Sequence, residues 1–199
     1  MRRKRWCPTL SNGRTTKRRP IVTRIVITGG PGAGKTTLLQ ALHARGYTIV
    51  GDSPRIIIQE RRKRGLSPRP DAYEFAQETL RMDVDNFARH AATAGHVFFE
   101  RGVIDALCGL DHATPLGERQ LSQWLAEYRY YPKVFVLPPW EAIYVNDAER
   151  DHTFEHAVRV NRITQEWYRR CGYQVVEVPK GSVEDRCAYV LQALANVDA

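Results

Sequence analysis

The eight residues Gly29-Gly30-Pro31-Gly32-Ala33-Gly34-Lys35-Thr36 follow the apolar run Ile25-Val26-Ile27 and precede Leu38-Leu39-Gln40-Ala41-Leu42. A glycine, four residues and then Gly-Lys-Thr, set between a strand pattern and a helix pattern, leaves few choices of fold. Glycines let successive backbone N–H groups turn inward around anionic oxygens, and the positive end of the following helix dipole points at the same spot. Lys35 is placed to reach β- and γ-phosphates, and the Thr36 hydroxyl to complete a Mg²⁺ shell made mostly of water and phosphate oxygens. Gly29, Gly30, Pro31, Gly32, Ala33, Gly34, Lys35, Thr36 and Thr37 are therefore read as a site for a nucleoside triphosphate, with ATP and Mg²⁺ as the expected cofactors. The alternative, a glycine-rich turn with an incidental lysine, has strand, spacing and helix all against it.

Short apolar runs alternate with longer amphipathic ones along the rest of the chain, and no internal repeat is visible. Strands are expected at 22–28, 47–50, 96–99, 133–137 and 173–178, and helices at about 35–45, 54–64, 72–94, 117–129, 153–171 and 183–195. Near-continuous apolar strands alternating with helices predict an α/β fold, a five-stranded parallel sheet covered by helices on both faces. Residues 65–71 hold Pro68 and Pro70 and so form a loop between two helices, and 138–152 form a second irregular stretch. Ligands in such sheets bind beyond the carboxyl ends of the strands, which directs attention to the loops there.

The 199 residues suit one domain with a single sizeable core. The net charge of +8 is unevenly placed: residues 1–20 hold eight basic and no acidic residues, and removing them leaves 22 Lys and Arg against 22 Asp and Glu. Residues 1–20 are expected to be a disordered basic tail and 21–199 the folded domain. The tail could touch nucleic acid or an anionic surface, or be only a solvated leader or the product of an upstream start codon. Arg2-Arg3 has no apolar segment behind it, and no stretch reaches transmembrane length, so a cytoplasmic location is expected. Cys7, Cys108, Cys171 and Cys187 are scattered, without the spacing of a zinc site or a disulfide framework, and suit residual thiols in a reducing compartment. The six histidines show no metal-ligand spacing either, and Trp140 and Trp167 read as packing residues.

Around the loop, Val97-Phe98-Phe99 ends in Glu100-Arg101-Gly102, with Asp105 close behind. A carboxylate leaving a buried strand beside the phosphate site can hold Mg²⁺ or deprotonate an attacking hydroxyl, and Arg101 can neutralise phosphoryl charge. Asp105 is open between the metal shell and the cap of the short helix after it. Asp52 reads as an N-cap with Pro54 in the first turn, or else faces an acceptor pocket together with Arg55. Arg150, and less clearly Arg159 and Arg162, are candidates to close over the triphosphate. Pro179-Lys180-Gly181-Ser182 is either a run past the nucleobase or a turn in which Ser182 caps the last helix.

These pieces resemble a known family. Gly29–Thr37 looks like a nucleotide- or nucleoside-kinase phosphate loop, and Glu100-Arg101 resembles the acidic-Arg motif of deoxynucleoside and thymidylate kinases. Over residues 23–195 the order of elements is similar to the NadR-like AAA domain family of predicted ATPases and ribosylnicotinamide kinases. Asp52-Ser53-Pro54-Arg55, Phe99-Glu100-Arg101-Gly102 with Asp105, and Val145-Asn146-Asp147-Ala148-Glu149-Arg150 carry that match. The resemblance implies a P-loop NTPase fold of the nucleoside- and nucleotide-kinase type. It also implies ATP on residues 29–36, an acidic base or metal ligand at Glu100, and a lid arginine at Arg150. The chain departs from the usual pattern at Asp52 and Glu100, where the other acid of each pair would be expected.

Two activities follow. One is a kinase that moves a phosphoryl group to a small-molecule hydroxyl, nucleoside-like by family analogy, with Lys35, Glu100, Arg101 and Arg150 as catalytic residues. The other is an ATPase or nucleotide-dependent regulatory module in which occupancy moves 138–152. A mechanical ring motor is disfavoured, because only one helix remains after residue 180.

Overall fold

The computed structural model describes residues 22–144 and 153–195. Five strands form one sheet: β1 (Val22–Gly29), β2 (Thr48–Val50), β3 (Gly95–Glu100), β4 (Lys133–Leu137) and β5 (Gln174–Glu177), in the order β2-β3-β1-β4-β5. All four pairings are parallel, with Ile25 beside Phe98 on one side and Ile27 beside Phe135 on the other. The expected five-stranded parallel sheet is thus observed, with β1 and its loop at the centre.

The strands send alternate side chains to opposite faces, and this splits the core in two. Ile25, Ile27, Phe98, Phe135 and Leu137 face α1 (Lys35–Ala44) and α7 (Val183–Ala195), where Leu38, Leu42, Val190 and Leu194 meet them. Val26, Val97, Phe99, Val134 and Val136 face the other layer: α3 (Ala72–Arg89), α4 (Val103–Ala113), α5 (Glu118–Glu127) and α6 (Phe154–Arg170). α2 (Ser53–Lys63) packs on α3 beyond the β2 edge. Helices cover both faces, as the strand pattern required.

Two boundaries differ from expectation. α3 stops at Arg89, short of residue 94, and the chain turns through Gly95 at φ 81° to enter β3. α4 is a full 11-residue helix where only a short one was anticipated. Val103, Ile104, Ala106, Leu107 and Leu110 are buried in the layer it shares with α3 and α6, and with only Gly109 and His112 exposed its amphipathic period is weak. Among the described residues no helix is long and apolar enough to cross a membrane. The tail at 1–20, Cys7 and Arg150 lie outside the described residues.

Candidate active site

The loop between β1 and α1 wraps the N-terminus of α1, with Gly34 left-handed at φ 82° as its cap residue. That conformation is easy for glycine alone and aims the first N–H groups of α1 into the loop. Packing constrains the loop from outside as well, since any side chain at Gly30 would collide with the Ala157 carbonyl of α6. Lys35 is buried, and its ammonium lies across the loop, donating to the carbonyls of Gly29 at 3.2 Å and Gly30 at 2.8 Å.

Glu100 closes the inner side. It ends β3, the neighbour of β1, and is 2% exposed. The Thr36 hydroxyl sits 2.9 and 3.1 Å from its two carboxylate oxygens. Burial first, and then the nearby Asp52 charge, push the Glu100 carboxyl above its ordinary range, against the pull of Lys35 and Arg101. A hydroxyl and a carboxylate meeting at the mouth of a phosphate loop fit Mg²⁺, whose remaining ligands are water and phosphate. Among the described residues no cluster of three His, Cys, Asp or Glu could hold a metal by itself, so these two would act together with the nucleotide.

Arg101 is the residue with the most unusual backbone here, a non-glycine at φ 62°. Such a conformation costs about 1–3 kcal/mol and persists only where its surroundings enforce it. Two contacts enforce it: the Arg101 N–H donates to the Ile27 carbonyl at 3.0 Å, and the guanidinium meets Asp52 Oδ1 at 2.5 Å. Burial works against both charges. Arg101 nevertheless holds the Asp52 carboxyl below its usual range, and Asp52, Asp105 and Glu100 keep the guanidinium protonated. Asp52 does occupy the N-cap position of α2 with Pro54 in the first turn, yet its side chain makes no capping bond and turns to Arg101. As a structural cap it is therefore not used.

Asp105 takes the capping role. Its Oδ2 accepts from the Gly102 N–H at 3.1 Å and the Tyr168 hydroxyl at 2.6 Å, while Oδ1 accepts from Thr28 at 2.5 Å. Both oxygens accept from protein donors, and this geometry ties β1, α4 and α6 together. Ser53, next to Asp52, donates to Asp83 Oδ1 at 2.5 Å and receives Asn86 Nδ2 at 3.3 Å. Asp83 Oδ2 has no hydrogen-bond partner among the described residues, and burial raises the Asp83 carboxyl to about 7.

Beside the loop a cavity of about 190 Å³ opens between α2, α3 and α6. Lys35, Asp52, Arg55 and Arg101 border it, as do Arg69 from the 65–71 loop and the apolar Ile58 and Phe75. α6 contributes His156 and Val160. Larger hollows of about 410 and 370 Å³ lie elsewhere and lack the loop's donors, so chemistry and not size selects the site. Arg55 also borders the hollow over Gly32–Thr37. Arg159 and Arg162 lie on the exposed side of α6, where Arg162 pairs with Glu166 at 3.0 Å.

Several residues at the site carry no signal in the sequence, Ile58, His156 and Val160 of the cavity wall among them. Arg69 and Phe75 reach the cavity from elements whose motifs say nothing of it. Arg186 on α7 is 6% exposed, and its guanidinium lies 2.8 Å from where a side chain at Gly34 would begin and 5.8 Å from the Trp140 ring. The turn before α7 is a cap, with the Asp185 N–H donating to Ser182 Oγ at 3.1 Å. Trp167 packs as expected, its Nε1 donating to the Ile104 carbonyl at 2.8 Å.

A parallel sheet ordered 2-3-1-4-5 with this loop at its centre defines a P-loop NTPase. The chain belongs to the AAA domain family, which matches residues 24–186. No curated protein matches it in sequence. Among solved structures it is similar to the deoxyadenosine kinase from M. mycoides with products dCMP and dCDP, at TM-score 0.61 and 14% identity over 87% of this chain and 100% of that one. It is also similar to the thymidylate kinase from Candida albicans, at TM-score 0.63 and 10% identity over 88% and 92%. NadR protein in complex with NR matches at TM-score 0.64 and 17% identity, over 88% of this chain and 51% of NadR. The shared fold is that of P-loop kinases.

Proposed function

We propose that this protein is an ATP- and Mg²⁺-dependent phosphotransferase that phosphorylates the hydroxyl of a small molecule. The observation that carries the reading is a division of labour between two carboxylates. Glu100 touches the Thr36 hydroxyl on the phosphate-loop side, whereas Asp52, paired with Arg101, borders the adjoining cavity. A simple hydrolase has no need of such a cavity, and a second substrate does.

Thr36 and Glu100 would hold Mg²⁺, directly or through water, and the ion supplies charge neutralisation at the β- and γ-oxygens. Asp52, kept ionised by Arg101, accepts the hydrogen bond of the acceptor hydroxyl and orients it toward the loop. The hydroxyl oxygen forms the new P–O bond as the bond to ADP breaks, and its proton passes to Asp52. Lys35 and Arg101 face the charge that builds on the transferring group. Arg150 remains a proposed lid arginine. The similar kinases support this assignment by fold, and a nucleoside-like acceptor is our extension from the deoxyadenosine and thymidylate kinases among them.

The test is ADP release in the presence of a panel of nucleosides, nucleotides and small hydroxy metabolites. Stimulation by an acceptor, lost in Lys35→Ala, is expected. Release that no acceptor stimulates would return the protein to the ATPase or regulatory class.

A further inference from the structure

We propose that Ser53, Asp83 and Asn86 are positioning residues for Asp52, pinning the first turn of α2 so that the Asp52 carboxylate turns away from its own helix and is held against Arg101 at the cavity. This rests on the phosphotransferase reading and names the residues, outside the cavity, that set its acceptor-side carboxylate. Asp52 stands at the N-cap of α2, where a carboxylate ordinarily accepts from the N–H groups of the first turn, yet it makes no such bond. Its carbonyl does begin the helix, accepting from the Ile56 N–H at 3.1 Å. The backbone is that of a cap and the side chain is not. The next residue supplies the fixing instead. Ser53 is fully buried, donates to Asp83 Oδ1 at 2.5 Å and accepts from Asn86 Nδ2 at 3.3 Å.

Asp83 and Asn86 lie one turn apart on α3, so both face the same spot. Arg89 Nη1 donates to Asn86 Oδ1 at 3.3 Å, which leaves the Asn86 amide nitrogen toward Ser53. A hydroxyl has one hydrogen to give and lone pairs to accept with, and Ser53 uses both functions on α3. Asp83 is buried, and its Oδ2 meets no partner among the described residues. Around it stand Asp52 at the start of α2, Asp105 on α4, Arg101 after β3 and Tyr130 before β4. Burial first, and then the Asp105 and Asp52 charges, oppose ionising it, so below about pH 7 Asp83 serves as a neutral acid. A charged Asp83 would compete with Asp52 for Arg101. A neutral one leaves the guanidinium to Asp52.

The experiment has two readouts. ADP release is measured with the acceptor that stimulates most strongly in the panel. The Asp52 carboxyl is titrated by carbon NMR in the nucleotide-free protein, its signal identified by its loss in Asp52→Asn. Ser53→Ala should lower kcat about tenfold with the KM for ATP within about twofold. In the same variant the Asp52 carboxyl should move up toward its ordinary range as Arg101 is lost to it. Asp83→Ala should do likewise, whereas Asp83→Asn, which keeps the neutral shape and the acceptor for Ser53, should retain kcat within about threefold. Asn86→Ala, the mildest cut, should shift both readouts in the same direction by less. Ser53→Ala with wild-type kcat or an unmoved Asp52 titration overturns the inference. So does an Asp83→Asn enzyme that falls as far as Asp83→Ala, or a KM for ATP that rises along with the loss in kcat. If no acceptor stimulates release, the kinase reading falls, while the carboxyl titration still decides whether Ser53 and Asp83 hold Asp52.

Discussion

The two halves of the site are built from different materials. The phosphate loop is main chain: one contiguous stretch that presents its N–H groups and the α1 terminus, with Lys35 laid over its own carbonyls. The proposed acceptor half, the adjoining cavity, is made of side chains drawn from α2, α3, α6, the 65–71 loop and the end of β3. Its Asp52 and Arg101 form a buried ion pair, with Asp83, Asp105 and Glu100 close enough to act on one or both charges. A backbone site survives changes around it. A site of buried charges is stable only while every partner is present, because each ion left alone keeps its desolvation cost.

That contrast can be broken by experiment. On the loop side, Lys35→Ala should cut ADP release by about 100- to 1000-fold while the melting temperature stays nearly constant, since the loop carbonyls it leaves behind can take water. On the acceptor side, Asp52→Ala should cost activity and also about 3–5 kcal/mol in urea unfolding, because Arg101 stays buried without its partner. If the two variants unfold alike, the contrast between the halves is wrong.

Asp83→Asn sharpens the same point through pH. The folded-state value of Asp83 is about 7, above its ordinary 3.8, so the native protein resists ionising it. The stability Asp83 contributes is complete below about pH 4 and declines as pH rises toward 7, by up to about 1.4 kcal/mol per pH unit. Asparagine should remove that part of the slope in unfolding curves taken between pH 5 and 7. Least of all should be Glu118→Gln, which breaks an exposed contact with Arg170 at 2.6 Å and is expected to cost less than about 1 kcal/mol.

The same difference explains what could be read in the sequence. The geometry of the loop was legible, because it lies in consecutive positions and in glycines. The strands were legible too, being apolar runs between turns. Glu100 and Arg101 followed from their place at a strand end. Arg69, Phe75 and Arg186 did not, since each is set by a packing of elements distant in sequence. Nor did the choice between two explanations for Asp52 and Asp105, which share one local pattern: only tertiary partners show that Asp105 caps and Asp52 pairs. α4 was underestimated because only Gly109 and His112 of its residues are exposed, too few to mark a helical period.

Asp105 has a mechanical consequence. It pins α6 at Tyr168, and eleven residues earlier Ala157 rests on the phosphate loop, with His156 and Val160 at the cavity wall. From Tyr168 to Ala157 the helix runs about 16 Å, so a tilt of about 5° about Tyr168 would sweep its start through about 1.4 Å. A shift of that size at a reacting centre changes rates by about 100-fold. Asp105, which also holds Thr28 at the foot of the phosphate loop, thereby ties the placement of α6 to that of the loop.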